Sequence, residues 1–250
     1  MLRHGPKAVT PSRARPLSPA GIAFVRSLVI HEDTEILVLN KPAGLSSQGG
    51  RIAALTLDDL LAAFAKPSGV KPRLVHRLDR DTSGVILTAR SQPAAAFLGK
   101  AMMARRFKKT YLAIVAPGAP EPPAGVIETP LARHDIGREA YVRVAEADAP
   151  GAQTAFTRYR TLAADETAAL VELSPRTGRM HQLRAHLASI GRPIVGDARY
   201  GGALMLYGEP APRLMLHAAA LTFPHPAGGE RSVEAAPPAD FLSLAARIGG

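Results

Sequence analysis

The apolar positions of this chain fall into short runs rather than long helical stripes. Ile36-Leu37-Val38-Leu39 is continuously apolar and stops at Asn40-Lys41-Pro42-Ala43-Gly44, which predicts a buried strand running into a turn. Thr56 and Asp59 have the spacing of a capping box, and Leu57, Leu60, Leu61 and Phe64 then share one face, so a helix is expected there. Val85–Thr88 reads as a second strand. Ser91 should cap a second helix, with Phe97, Leu98 and Met102 as its apolar stripe and a basic cluster at its end: Lys100, Arg105, Arg106, Lys108 and Lys109. Tyr111–Val115 returns as a strand, and residues 117–123 form a proline-rich loop. Strands are expected at 154–161 and 168–174. A helix should run from Met180 to Ile190, stopped by Gly191. Leu214, Leu216 and Ala218 alternate as in a strand, and 231–235 supplies a last one. No period repeats, and strands mix irregularly with helices. The fold class expected is α+β, a mixed, mostly antiparallel sheet flanked by helices and loops rather than regular βαβ units.

Residues 1–27 break this pattern. Arg3, Lys7, Arg13, Arg15 and Arg26 sit among Pro6, Pro11, Pro16 and Pro19, with no acidic residue before Glu32. Such a segment cannot bury enough to fold alone and reads as a basic, flexible arm, leaving 28–250 as the folded domain.

Composition narrows the chemistry. At 46% hydrophobic and 21% charged residues, the 250-residue chain is ordinary globular material. The net charge of +10, with a pI near 10.4, favours a polyanionic partner, and nucleic acid is the abundant one. The longest stretch without a charge, Leu214–Gly229, is broken by Pro224 and Pro226 and is too short for a membrane span. Cysteine is absent, which excludes disulfide scaffolds, thiolate metal sites and cysteine nucleophiles. With no signal-peptide pattern at the N-terminus, the cytoplasm is the expected compartment. The glycine-rich phosphate and dinucleotide cradles, H-E-x-x-H and G-x-S-x-G do not occur, and the eight histidines are scattered. Neither a metal nor a cofactor is expected.

Three segments carry chemistry. Arg73-Leu74-Val75-His76-Arg77-Leu78-Asp79-Arg80-Asp81-Thr82-Ser83-Gly84 holds Asp79 between Arg77 and Arg80, and a carboxylate near arginine is favoured in its charged form. Such a group can serve as nucleophile or general base, although a surface ion-pair loop would look the same. In Arg176–His186, the residues Arg179, Gln182 and His186 would share a helix face, either solvated or holding phosphate, while Arg184 points elsewhere. In Phe107–Val115, Tyr111 stands beside Lys108 and Lys109, as in base stacking next to phosphate or simply as a strand tyrosine.

Together these segments resemble the RluA-type pseudouridine synthases. The matching motifs are Ile36–Gly44, His76-Arg77-Leu78-Asp79 with Thr82-Ser83-Gly84, and Lys109-x-Tyr111-x-Ala113-x-Val115. They continue in order with Thr177-Gly178-Arg179-x-His181-Gln182-Leu183-Arg184-x-His186, Gly196-Asp197 and Leu216-His217-Ala218. The resemblance implies an enzyme that isomerises uridine in ribosomal or transfer RNA to pseudouridine, without cofactor or metal; a monomer is expected. It implies Asp79 as the catalytic aspartate, attacking the ribose or the uracil ring, with Tyr111 against the base and Arg184 as counter-ion. His76, Arg77, Arg80, Lys41, Lys109, Arg179, His181 and Gln182 are implied to bind RNA, Arg77 helping to hold the extruded nucleotide.

Two departures stand out. Relatives often carry an S4-like RNA-binding module before the catalytic domain, and here only the arm is expected to precede the first motif. Met180 occupies a place where threonine is common. The competing readings are an RNA-binding or RNA-folding factor without catalysis and a glycoside hydrolase. Intact Asp79, Tyr111 and Arg184 argue against the first. The second normally needs two carboxyls across the sugar, and only Asp81 stands near.

Overall fold

The structure, a computed structural model, describes residues 16–49, 55–136 and 139–249. In chain order its helices are α1 (Pro19–Ser27), α2 (Leu57–Leu60), α3 (Gln92–Met103), α4 (Gln182–Ser189) and α5 (Ala239–Ala245). Its strands are β1 (Val29–Glu32), β2 (Ile36–Lys41), β3 (Arg73–Leu74), β4 (Ser83–Ala89), β5 (Lys108–Val115), β6 (Ala124–Ile127) and β7 (Leu131–Ile136). These are followed by β8 (Glu139–Val144), β9 (Thr157–Ala164), β10 (Ala169–Pro175), β11 (Met205–Leu206), β12 (Glu209–Pro210), β13 (Leu216–Pro224) and β14 (Glu230–Glu234). Ten strands make one sheet in the order β1-β2-β4-β13-β5-β10-β9-β6, with β3 also on β4 and β14 on β13. Every pair is antiparallel except β4 with β13. The expected α+β fold with a mixed, mostly antiparallel sheet is the one observed.

The run Ile36–Leu39 is apolar throughout because both faces of β2 are covered. Ile36 and Val38 join Val85, Leu87, Leu98 and Phe223 on one side. Leu37 and Leu39 join Val25, Leu57, Leu60 and Ile86 on the other, as the two-residue period of a strand requires. The Thr56–Asp59 capping box is present, with Leu57, Leu60, Leu61 and Phe64 all buried beneath it.

Three expectations shift. The boundary at residue 27 falls inside folded structure. Pro19 opens α1 at its first turn, where proline has no hydrogen bond to lose, and Ser18 caps it. Val25 is fully buried and Arg26 donates to the Ala63 carbonyl (3.0 Å), so α1 belongs to the domain. Residues 1–15 lie outside the described residues. In α3 the buried face is Ala94, Leu98 and Ala101, whereas Phe97 is 39% exposed, because two alanines let the helix approach the sheet closely. Helix α4 begins two residues later than expected: His181 has φ 50°, a left-handed conformation that cannot continue a helix.

The parallel β4–β13 contact positions the site. Ser83 and Gly84 open β4 and pair with His217 and Ala218. At Gly84 (φ 117°) a Cβ would come within 2.2 Å of the Ala218 carbonyl oxygen, so only glycine lets the strands meet. Ser83 Oγ bonds His217 Nδ1 (2.9 Å), whose Nε2 bonds the Ala235 carbonyl (2.9 Å). Thr82-Ser83-Gly84 is therefore a strand entry rather than a free turn.

Candidate active site

A cavity of about 650 Å3 opens beside this junction, lined among others by Asp79, Lys109, Tyr111, Arg179, His181 and Arg184. Asp79 stands on the loop between β3 and β4. Leu78 pins that loop: its side chain is buried, and its N–H and carbonyl both bond Ser47 Oγ (3.1 and 2.7 Å). The Gly44 N–H donates to the Arg80 carbonyl (2.9 Å). Lys41, fully buried, donates from Nζ to the carbonyls of Pro42, Leu45 and Arg80 (2.9, 2.8 and 3.0 Å). Lys41 thus clamps the turn to the Asp79 loop and is not available to RNA.

Arg184 comes from α4. Its Nε and Nη2 bind both oxygens of Asp197 at 2.7 Å, a bidentate fork on a carboxylate that is itself buried. Asp197 also accepts from the backbone N–H of Arg199 and Tyr200 (3.1 and 3.2 Å). Arg184 Nη1 lies 3.9 Å from Asp79 Oδ2, so the expected pairing exists as a longer contact and Asp197 is the principal partner. His181 Nε2 stands at the same distance, 3.9 Å, from Asp79 Oδ2. Neither Arg77 nor Arg80 pairs with Asp79 among the described residues: Arg77 is exposed at the cavity wall, and Arg80 bonds the Gly44 carbonyl (3.1 Å) and lies 3.9 Å from Asp81.

Tyr111 and Lys109 alternate along β5 and both line the cavity. Burial, aided by the negative charge of Asp79, raises the Tyr111 hydroxyl well above its ordinary value, so it stays protonated. Burial lowers the Lys109 ammonium. His76 lines the cavity, but its Nε2 accepts the Leu87 N–H (3.0 Å), and burial with Lys109 nearby pushes it down to about 3. It is a neutral pin between loop and strand rather than a cationic RNA contact.

Gln182 is likewise structural. Its Oε1 accepts from Thr177 Oγ1 (2.8 Å) and the Arg179 N–H (3.1 Å), and its Nε2 donates to the Phe156 carbonyl (3.0 Å) and Thr157 Oγ1 (2.9 Å). With its amide fully engaged, nothing is left for a ligand. These bonds wind Thr177–His181 into the turn that delays α4. His186 shares Thr157 Oγ1 (2.9 Å) and reaches the Thr129 carbonyl (3.0 Å), so the imagined polar face of Arg179, Gln182 and His186 is dispersed. Arg179 remains at the cavity, its Nε on the Thr154 carbonyl (3.1 Å).

The cavity is of the size that takes one small molecule or nucleotide. Its wall sets one carboxylate against a guanidinium, an imidazole and a desolvated phenol, with Arg77, Lys109 and Arg179 around it. That layout suits covalent or acid–base chemistry on a single nucleotide drawn out of its stack. The comparisons agree. A family model described as RNA pseudouridylate synthase matches residues 35–189. The uncharacterized RNA pseudouridine synthase YhcT of Bacillus subtilis is 40% identical over 222 residues, covering 86% of this chain and 70% of that protein. The ribosomal large subunit pseudouridine synthase C of Escherichia coli K12 is 38% identical over 215 residues, covering 84% of this chain and 66% of that protein. The chain thus spans about two thirds of the length of these relatives. The solved structure of human RNA pseudouridylate synthase domain containing 4 superposes with a TM-score of 0.75 at 29% identity, covering 89% of this chain and 94% of that one. The chain belongs to the RNA pseudouridylate synthase family, and its enzyme class is that of an RNA pseudouridine synthase.

Proposed function

We propose that this chain isomerises a uridine of structured RNA with Asp79 as nucleophile, and that ribosomal RNA is its first substrate class, transfer RNA its second. The observation that carries the reading is the placement of Asp79. It is 35% exposed on the cavity wall, pinned by Leu78 and Lys41 behind it, and faced at 3.9 Å by both Arg184 and His181. The choice of ribosomal RNA rests on the name of the Escherichia coli relative, a ribosomal large subunit pseudouridine synthase.

The reaction breaks the N1–C1′ bond, turns the uracil and joins C5 to C1′; C5 releases its hydrogen as a proton and N1 takes one up, so the product is an isomer of the substrate. No oxidant, metal or cofactor enters that balance. The base must stay bound throughout, and the cavity holds it between Asp79 and the Tyr111 ring. Extrusion costs a few kcal/mol. Arg77, exposed at the mouth, fills the gap left in the stack, and Lys109, Arg179 and His181 contact the backbone or base. Arg80, on the exposed side of the loop, contributes only long-range attraction. The proposed working unit is a monomer, and the proposed compartment is the cytoplasm.

The test is tritium release from RNA labelled at uracil C5. Wild-type protein should release tritium from ribosomal RNA, and Asp79→Asn should release none while still binding RNA. Full release by Asp79→Asn would sink the nucleophile assignment.

A further inference from the structure

We propose that Tyr200 is a positioning residue for the reaction: its hydroxyl holds His181 as the Nε2–H tautomer, so that the imidazole presents a donor rather than a lone pair to Asp79. The proposal rests on Asp79 as the reacting carboxylate. Tyr200 lies three residues beyond Asp197 and outside the cavity lining. Its hydroxyl is 2.9 Å from His181 Nδ1, and the two rings meet edge to face at 5.7 Å. The other side of the same oxygen accepts the Val142 N–H of β8 (3.0 Å). The ring lies under the Arg184 guanidinium (4.9 Å), and the Tyr200 N–H is fixed on Asp197 (3.2 Å). The phenol is therefore located by three independent contacts before it meets His181.

The tautomer follows from counting donors and acceptors. The amide of Val142 can only donate, so it takes one lone pair of the phenol oxygen. If His181 donated from Nδ1, the Tyr200 O–H would have no acceptor among the described residues. The Nε2 lone pair would then face the Asp79 carboxylate. With the phenol donating to Nδ1, both problems vanish, and the nitrogen that carries the proton is Nε2, 3.9 Å from Asp79 Oδ2. Burial raises the Tyr200 hydroxyl, which keeps it a donor. Burial lowers His181, against the opposing pull of Asp79, which keeps the ring neutral. The left-handed backbone at His181 (φ 50°) aims the ring into this gap instead of along α4.

The test joins a spectroscopic and a kinetic reading. In protein labelled with 15N-histidine, His181 is assigned by the signals lost in His181→Gln. Wild-type protein should show His181 protonated at Nε2, with Nδ1 shifted as a hydrogen-bond acceptor, and Tyr200→Phe should remove that shift. A wild-type His181 protonated at Nδ1 overturns the proposal, and this arm needs no activity from any variant. In tritium release, Tyr200→Phe should lower kcat about tenfold, the size of one hydrogen bond, with KM for RNA unchanged. Gln places an amide donor near the Nε2 position but has no atom that needs the phenol. In the His181→Gln background, Tyr200→Phe should therefore cost nothing further, and an equal loss in both backgrounds overturns the proposal. The Asp79 reading is judged separately: activity retained by Asp79→Asn refutes that reading while leaving the His181 tautomer still measurable.

Discussion

Replacing Asp197 by Asn should injure both the fold and the reaction. The carboxylate is 1% exposed and accepts both nitrogens of the Arg184 fork at 2.7 Å, and the Arg184 side chain is only 11% exposed. Removing one member of a buried pair leaves an uncompensated charge, at about 3–5 kcal/mol. Asn keeps one acceptor oxygen for part of the fork, so the lower end applies, about 3 kcal/mol. For a chain of this size 1 kcal/mol moves Tm by about 2–4 °C, giving a fall of about 6–12 °C. The fold supplies its own control. Arg213 forks onto Asp240 with the same geometry (2.7 and 2.9 Å), but the Asp240 side chain is 37% exposed, and Asp240→Asn should cost no more than about 1 kcal/mol. Thermal melts of the two variants decide the comparison. If Asp79 is the nucleophile as proposed, Arg184 freed from Asp197 has it as its nearest anion, and a closely bonded nucleophile is a weaker one. Tritium release measured well below Tm should therefore fall at least about tenfold in Asp197→Asn. Equal Tm shifts in the two variants, or full release by Asp197→Asn, would refute the reasoning.

Three further outcomes are expected. If the Tyr111 ring supports the base, Tyr111→Phe should keep much more tritium release than Tyr111→Ala, and equal losses would assign the role to the hydroxyl instead. Gly84→Ala should destabilise by about 3 kcal/mol or fail to fold, because its Cβ meets the Ala218 carbonyl at 2.2 Å and φ is 117°; a Tm within 2–4 °C of wild type (about 1 kcal/mol) would contradict that contact. Asp33 bonds His31 (2.9 Å), His225 (3.1 Å) and the N–H groups of Glu35 and Ile36. Burial opposes its charge, but these bonds win and hold its carboxyl well below the ordinary value. Its contribution is thus present above the unfolded value near 3.8 and is lost as pH falls toward the folded one. Urea titrations should show stability dropping below that pH in wild type and less steeply in Asp33→Asn.

The strands and helix caps were legible because they are local. The run Ile36–Leu39 and the Thr56 and Ser91 caps each need only their own neighbours in sequence, whereas the alternation expected at Leu214–Ala218 gives way to a strand that starts at Leu216 and is buried on both faces there. The cavity residues Asp79, Tyr111 and Arg184 were legible through motif order. What escaped was long-range. Lys41 and Gln182 look like ligand-binding polar residues until their partners, Arg80 and Thr157, are brought up by the fold. The β7–β8 hairpin has mixed composition, and its role shows only where the Val142 N–H meets Tyr200. Pro19 signals a break in sequence but a helix start in structure, because a proline at the first turn loses nothing.

One arginine thus serves two carboxylates, and the division between them suits Asp79 to the proposed role of nucleophile. Asp197 has a fully buried side chain and could not be left charged without a partner, so it takes the short, bidentate bonds of Arg184. Asp79 is partly exposed and needs no such compensation. It receives the remaining field of the same guanidinium from 3.9 Å, and among the described residues no side chain hydrogen-bonds its carboxylate. A nucleophile must offer a lone pair to carbon, and every hydrogen bond it accepts in the resting state has to be broken or weakened before attack. By directing its hydrogen bonds to the buried acid, Arg184 keeps its charge beside the proposed nucleophile without occupying its oxygens. The same logic explains why the loop carrying Asp79 is held from behind, through Leu78, Arg80 and Lys41, and never through the carboxylate itself.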